Sequence, residues 1–89
     1  MLNVMFNVFL KPKAQKQFDA LSVKDRGRVF NALEGLRDDP FAGKKLQGEL
    51  YGFYSLRVWP YRIIYTIEKR IITVTVVAIG QRKEIYRLR

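Results

Sequence analysis

Residues 53–79 read FYSLRVWPYRIIYTIEKRIITVTVVAI, and β-branched and aromatic side chains, which favour strands, dominate this stretch. It splits into three strand-like runs, namely Phe53 to Val58, Tyr61 to Glu68 and Ile71 to Ile79. Only Trp59-Pro60 and Lys69-Arg70 separate the runs, and two-residue connections are typical of antiparallel hairpins. We therefore predict a three-stranded antiparallel meander that ends at Gly80.

Upstream of this meander the sequence predicts one strand and two helices. Apolar residues alternate from Asn3 to Leu10, which indicates a strand. Pro12 suits the first turn of a helix, and Ser22 is a good N-cap for a second helix. The second helix should end near Arg37, because the residue before Pro40 disfavours helical backbone.

These elements give the order β-α-α-β-β-β, with a short extended piece near Lys45 to Gln47. We expect an α+β fold, in which an antiparallel β-sheet meander with an N-terminal strand carries an α-helical hairpin packed on one face. A chain of 89 residues makes one domain, residues 1–89. The apolar run Met1 to Leu10 is far shorter than the roughly 20 residues of a membrane span. It has no basic segment before it and no small-residue cleavage site after it, so we expect a cytoplasmic protein without a membrane partner.

Composition excludes several kinds of chemistry. Apolar residues make up 48% of the chain and charged residues 28%, which is typical of a globular protein rather than a disordered one. The absence of cysteine excludes disulfides, thiolate nucleophiles and sulfur metal sites. The absence of histidine excludes a Ser-His-Asp triad and histidine metal sites. We expect neither a metal nor a cofactor.

Positive charge is concentrated in the second half of the chain. Lysine and arginine number 17 against 8 acidic residues, a net charge of +9. Residues 1–43 hold 7 basic and 5 acidic side chains, whereas residues 44–89 hold 10 basic and 3 acidic ones. Basic residues that serve only solubility need not be sorted in this way. The distribution therefore indicates a polyanionic partner, either nucleic acid or an acidic protein.

A two-residue loop at Trp59-Pro60 fixes the register of the first hairpin. It places Val58 opposite Tyr61 and Arg57 opposite Arg62, while Ser55 faces Ile64. One face then shows Arg57, Arg62 and Ser55. The other face is core and shows Tyr54, Leu56, Val58, Tyr61, Ile63 and Tyr65. Like charges directly opposite each other destabilise a sheet, so we expect the arginine pair to hold an anion.

Four segments of the sequence carry a family resemblance. They are Lys45-Leu46-Gln47-Gly48, Tyr54-Ser55-Leu56-Arg57, Tyr61-Arg62-Ile63-Ile64-Tyr65 and Ile79-Gly80-Gln81-Arg82-Lys83-Glu84-Ile85-Tyr86. In this order and spacing they resemble the RelE/ParE superfamily of bacterial and archaeal toxins. The resemblance covers nearly the whole chain and implies a single RelE-like toxin domain.

The resemblance implies one of two activities. Toxins of the RelE branch are endoribonucleases that enter the ribosomal A site and cut mRNA, whereas those of the ParE branch poison DNA gyrase and lack the nuclease residues. Arg62, Arg82 and Tyr86 match the RelE catalytic set, which implies the mRNA-cleaving toxin of a type II toxin–antitoxin system. Two lysines of the RelE pattern fall at Ser55 and Arg57, so one cation is kept as arginine and one is lost.

Metal-independent cleavage of RNA needs the adjacent 2′-OH as nucleophile, a base, and cations that stabilise the phosphorane. In a chain without histidine Tyr86 is the best candidate base, although neighbouring cations must lower its pKa from about 10. Arg62 would clamp the scissile phosphate, and Arg82 would neutralise the leaving oxygen. The candidate RNA- and ribosome-binding residues are Lys44, Lys45, Ser55, Arg57, Lys83 and Arg87.

Other interpretations stay open on the sequence alone. Tyr86 would then only pack the tail against the sheet. Arg62 and Arg82 would be solvated or would face gyrase. The alternatives for the whole chain are a ParE-like DNA gyrase poison without nuclease activity and a non-toxic small basic RNA-binding module. Three aromatic residues are possible base-stacking platforms, namely Tyr51, Phe53 and Trp59. We favour packing in the core or in loops for all three.

The resemblance also implies partners. A toxin of this kind acts on the ribosome and its mRNA and is restrained by a cognate antitoxin. An acidic, amphipathic antitoxin segment that folds on binding would lie along the helices and cover the basic surface. The resulting assembly would be a toxin–antitoxin hetero-oligomer.

Overall fold

The computed structural model describes residues 4–81, which form two helices and one five-stranded sheet. The elements are β1 (Asn7–Leu10), α1 (Pro12–Asp19), α2 (Val23–Asp38), β2 (Lys44–Lys45), β3 (Tyr54–Val58), β4 (Tyr61–Glu68) and β5 (Thr73–Gln81). Short 3-10 turns at Gly48–Leu50 and Lys69–Ile71 lie between strands. The strands are ordered β1-β5-β4-β3-β2 across the sheet. The predicted α+β fold is confirmed.

The sheet is mostly antiparallel, with one parallel pair at its edge. Strands β2 to β5 pair antiparallel, whereas β1 runs parallel to β5, with Asn7 opposite Thr73. The strand predicted from Asn3 begins only at Asn7. The N–H of Phe6 donates to the carbonyl of Arg37 in α2 at 2.9 Å, so this residue bonds to the helix rather than to the sheet.

The second predicted hairpin differs from the expected two-residue connection. Residues Lys69–Ile71 form a 3-10 turn, closed by a 3.2 Å hydrogen bond from the N–H of Ile72 to the carbonyl of Lys69. Ile72 itself lies in the left-handed region at φ 51°, and β5 starts at the next residue. At the other end Gly80 does not stop the strand, because it pairs with Arg62 of β4.

Local sequence explains the helix boundaries. Pro12 opens α1, as predicted from its fixed φ. The hydroxyl of Ser22 accepts a hydrogen bond from the N–H of Asp25 at 3.1 Å and caps α2. The second helix ends at Asp38, one residue beyond the prediction and just before Asp39 and Pro40. No helix among residues 4–81 is both long enough and apolar enough to cross a membrane.

The main core lies between the helices and one face of the sheet. Its buried members are Ala14, Val29, Leu33, Leu36, Ile63, Tyr65, Val74, Val76 and Ile79. Two tyrosine hydroxyls of β4 join the layers. Tyr65 donates to the carbonyl of Pro40 at 2.8 Å and accepts from the N–H of Gly43 at 3.0 Å, and Tyr61 donates to Asp25 Oδ2 at 2.7 Å. These bonds fix α2 and the following loop against β4.

Candidate nucleic-acid interface

The β3–β4 hairpin has the predicted register. Val58 lies opposite Tyr61 across the Trp59-Pro60 turn, and Arg57 lies opposite Arg62. Directly opposed side chains of an antiparallel pair have Cβ atoms about 4.5–5.5 Å apart. Within residues 4–81, neither arginine has a carboxylate within ion-pair distance. The sheet therefore holds two directly opposed arginines for which the described chain provides no carboxylate partner.

Further polar side chains lie beside this pair on the face of the sheet that points away from the helices. The row next to the arginines runs from Lys44 through Ser55 to Ile64. Because opposed residues share a face and successive residues alternate, this row points to the same side as the arginines. We name Lys44, Ser55, Arg57 and Arg62 the cationic face.

Lys45 does not belong to the cationic face. It lies opposite Tyr54, whose ring stacks on Tyr65 with centroids 5.5 Å apart on the helical side of the sheet. Alternation thus directs Lys44 and Lys45 to opposite sides of the sheet. The structure brings together Lys44, Ser55, Arg57 and Arg62 of the predicted site, and it separates Lys45 from them.

Ser55 is buried within the cationic face. Only 4% of its surface is exposed, and its hydroxyl has no hydrogen-bond partner among the residues that the structure describes. Ser55 lies opposite Ile64, which forms a second small apolar cluster with Ala78, against which Leu46, Phe53 and Val77 pack. Sequence reasoning did not find this cluster. A buried hydroxyl without a partner costs roughly 1–3 kcal/mol.

The remaining predicted site residues follow β5. The strand extends to Gln81, which lies opposite Tyr61, so the chain leaves the sheet beside the strand that carries Arg62. Arg82, Lys83, Tyr86 and Arg87 lie outside the described residues.

Two tyrosines of β4, Tyr61 and Tyr65, face the helices and are unsuited to act as bases in RNA cleavage. The hydrogen bond to Asp25 and burial raise the pKa of Tyr61. Burial raises the pKa of Tyr65, against the lowering effect of the bond from Gly43. Both hydroxyls bond to the helical layer, on the side of the sheet away from Arg57 and Arg62. Residues 4–81 also hold no group of three or more acidic side chains that would bind a metal ion.

The three candidate stacking aromatics differ in exposure. Phe53 packs against the second apolar cluster, as favoured on the sequence. Trp59 and Tyr51 are each 71% exposed, so the expected packing in a loop or the core is wrong for both. The sequence signal that was available for Trp59 is its place in a two-residue turn, which leaves a large side chain few neighbours to pack on.

Comparisons with known proteins agree with this architecture. A family model described as the ParE toxin of the type II toxin–antitoxin system parDE matches residues 8–86. Among curated proteins no sequence matches significantly. The RelBE2 toxin–antitoxin complex from Mycobacterium tuberculosis contains a chain that superposes with a TM-score of 0.82 at 28% identity, over 89% of this chain and 100% of that one.

Two more distant structures share the fold. The archaeal RelE–RelB complex from Pyrococcus horikoshii gives a TM-score of 0.77 at 19% identity, over 90% of this chain and 98% of that one. A YoeB/ParE toxin from Agrobacterium tumefaciens gives 0.76 at 14% identity, over 86% and 99%. The family match spans the helices, the sheet and the cationic face, and the chain belongs to the ParE toxin family of type II toxin–antitoxin systems, within the RelE/ParE superfamily.

Proposed function

We propose that this toxin is a ribosome-dependent endoribonuclease, a single domain over residues 1–89 that cleaves mRNA in the A site without a metal ion. The observation that carries the proposal is the Arg57–Arg62 pair, for which residues 4–81 provide no carboxylate partner. The likeness to a chain of a RelBE complex at 28% identity supports the same branch. The site of action would be the cytoplasm, where translating ribosomes are found.

Binding of a phosphodiester would offset the repulsion within the arginine pair. Arg57 and Arg62 repel each other across the strands, which costs a few tenths of a kcal/mol or more. A phosphate between them reverses the sign of this interaction, and a guanidinium fork matches two phosphate oxygens. The pair is therefore more stable with an anion bound than without one.

The proposed reaction is attack of the 2′-oxygen on its own 3′-phosphorus. The new P–O bond forms a 2′,3′-cyclic phosphate, the bond to the 5′-oxygen of the next nucleotide breaks, and that oxygen takes up a proton from water. Tyr86 is the proposed base for the 2′-OH proton, because Tyr61 and Tyr65 are tied to the helical layer. Arg62 holds the scissile phosphate, and Arg82 neutralises charge on the leaving oxygen.

The other polar residues bind RNA or the ribosome in this proposal. Ser55 stands where the family pattern has a lysine, and its burial leaves the direct contacts with the RNA backbone to the longer side chains beside it. Arg57 shares the phosphate that Arg62 holds, and Lys44 contacts a flanking phosphate on the same face. The remaining proposed contacts are Lys45, Lys83 and Arg87.

The proposal includes a cognate antitoxin. The similar structures from Mycobacterium tuberculosis and Pyrococcus horikoshii are toxin–antitoxin complexes. For this chain, with a net charge of +9, an acidic antitoxin segment that folds on the surface is the complementary partner. Together they form a hetero-oligomer in which the toxin is inactive.

Primer extension on cellular mRNA after induction of the toxin tests the proposal. We expect new 5′ ends within translated codons, and none on a transcript whose start codon has been removed. Induction of Tyr86→Phe at the same level is the matched control and should give few or no new ends. Growth arrest with unchanged mRNA ends would exclude the endonuclease.

The second candidate is a gyrase poison without nuclease activity. The family model that matches residues 8–86 is named for ParE toxins, and Ser55 stands where the RelE pattern has a lysine. A supercoiling assay with purified gyrase distinguishes the two. The endonuclease leaves supercoiling unchanged at concentrations that stop translation, whereas the poison inhibits it.

A further inference from the structure

We infer that Trp59 is a nucleobase-stacking residue, on which an unpaired RNA base lies while the adjoining phosphate sits between Arg57 and Arg62. The inference rests on the proposed function in one respect, because both require RNA as the ligand. It assigns a binding role to the tip of the β3–β4 hairpin.

The exposure of Trp59 is the first observation. Trp59 is 71% exposed, whereas its neighbours in the hairpin, Val58 and Tyr61, pack against the main core. Tryptophan is the largest apolar side chain, with a rigid ring and a single N–H donor. Fold stability therefore gains little from tryptophan at this turn, and the ring is free to accept a flat ligand.

The second observation is the position of Trp59 relative to the arginine pair. Trp59 and Pro60 form the turn that joins the strands, so the indole lies two residues from Arg57 along β3. Two strand residues span about 7 Å, which is within the reach of one nucleotide from its phosphate to its base. A phosphate held by the arginine pair thus brings a neighbouring base to the hairpin tip.

The charge of the neighbourhood favours RNA over an apolar protein surface. Arg57 and Arg62 have no carboxylate partner in the described chain, and an apolar partner would bury both charges uncompensated. A single-stranded nucleic acid instead supplies an anion for the arginines and a π-face for the indole. Proteins that bind single strands combine these two features, and stacking tolerates any base.

Tyr51 provides a matched control. Its ring is also 71% exposed, but it precedes β3 at the end of that strand remote from the Trp59 turn. If exposed aromatic surface alone attracted RNA, both residues would contribute equally. The inference requires that only Trp59 does.

The test uses fluorescence, because Trp59 is the sole tryptophan of the chain. The purified full-length protein is titrated with a single-stranded hexauridylate and with a hexamer of the same charge that lacks bases. We expect saturable quenching by hexauridylate and little quenching by the abasic hexamer. Raising the salt concentration should reverse the quenching, because phosphate contacts release counterions.

Affinities of the variants are measured by anisotropy of labelled hexauridylate. Loss of one base–aromatic stack is expected to weaken binding about 5- to 150-fold in Trp59→Ala. Trp59→Phe, which keeps a ring, should retain most of the affinity, and Tyr51→Ala should match the wild type. Equal quenching by the abasic hexamer, or unchanged affinity of Trp59→Ala, would overturn the inference.

The remaining outcomes separate this inference from neighbouring ones. If Trp59→Ala weakened binding of the cognate antitoxin but not of RNA, the indole would belong to a protein interface and the inference would be wrong. If the stacking results held but programmed ribosomes showed no mRNA cleavage, the endonuclease proposal would fail while Trp59 kept its role as an RNA contact.

Discussion

At the level of single residues, the arginine pair combines a cost in stability with a gain in binding. Arg57→Gln removes the repulsion with Arg62, so the free energy of unfolding should rise by about 0.2–1 kcal/mol. RNA affinity should fall in the same variant, and the slope of log affinity against log salt should decrease by about 1. Urea unfolding and binding titrations measure the two effects.

Arg70→Gln is the control for this substitution, because Arg70 is an exposed cation at the other hairpin turn. It should leave both stability and RNA affinity near those of the wild type. If Arg57→Gln lowered stability and left RNA binding intact, the arginine pair would be structural rather than a phosphate site.

Tyr86 carries the proposed base. Tyr86→Phe keeps the ring and removes only the hydroxyl, so the single-turnover cleavage rate should fall about 100- to 10,000-fold. The wild-type rate should rise with pH as the phenolate forms, and Arg82→Ala should move that rise to higher pH because it removes a cation that favours the phenolate. Cleavage by Tyr86→Phe at nearly the wild-type rate would assign the base to the ribosome or to water.

Gly43 shows how closely the loop after α2 approaches the sheet. A Cβ at this position would overlap the hydroxyl of Tyr65 and come within 3.0 Å of the carbonyl oxygen of Ser55. Gly43→Ala should therefore destabilise the fold by about 1–3 kcal/mol. Gly27, in α2, has open space around its Cβ position, and Gly27→Ala should stabilise by about 0.5–1 kcal/mol. Equal melting temperatures for the two variants would contradict the contact geometry.

At the level of elements, tyrosine hydroxyls join β4 to the helical layer. The stability of the fold should therefore decrease at alkaline pH. Burial raises the pKa of Tyr65 above its ordinary value of 10.0, and the bond to Asp25 raises that of Tyr61. The folded state thus favours neutral phenols. Their contribution is complete below pH 10 and is lost as pH rises through the folded pKa values.

Comparison of wild type with Tyr65→Phe checks this pH dependence. The variant should be less stable at pH 8, because Pro40 and Gly43 lose a hydrogen-bond partner. Its free energy of unfolding should then decline less steeply than that of the wild type above pH 10. Parallel declines of the two proteins in urea unfolding would show that Tyr65 does not contribute.

The sequence predicted the elements that depend on local chemistry. Ser22 and Pro12 mark helix starts through capping and a fixed φ, and the Trp59-Pro60 turn set the register of Arg57 against Arg62. It did not predict the parallel pairing of β1 with β5, which depends on contacts between residues far apart in the chain. The extra length of the second hairpin was also missed, because Ile72 adopts a backbone conformation that isoleucine rarely takes.

The positions of the candidate site residues on the sheet were predictable, whereas their burial was not. Alternation along the hairpin was sufficient to put Ser55, Arg57 and Arg62 on one face. The burial of Ser55 was not predictable, because it depends on how side chains of other segments pack around it. Such packing is a tertiary property that periodicity within one strand does not contain.

At the level of the whole molecule, the two faces of the sheet have separate tasks. One face packs on the helices and supplies the core, and the other presents arginines that have no carboxylate partner among residues 4–81, next to the exposed Trp59. Of the ten basic residues in 44–89, Lys44, Arg57 and Arg62 lie on the face that lacks helical cover.

Single-turnover cleavage of mRNA on programmed ribosomes, with the purified full-length toxin, tests the central claim most directly. We expect one cut within the A-site codon, a 2′,3′-cyclic phosphate on the upstream product, and a rate about 100- to 1,000-fold lower for Arg62→Gln. Arg70→Gln should cleave at the wild-type rate. Intact mRNA on every ribosome complex, together with inhibition of purified gyrase by the same preparation, would contradict the proposed function.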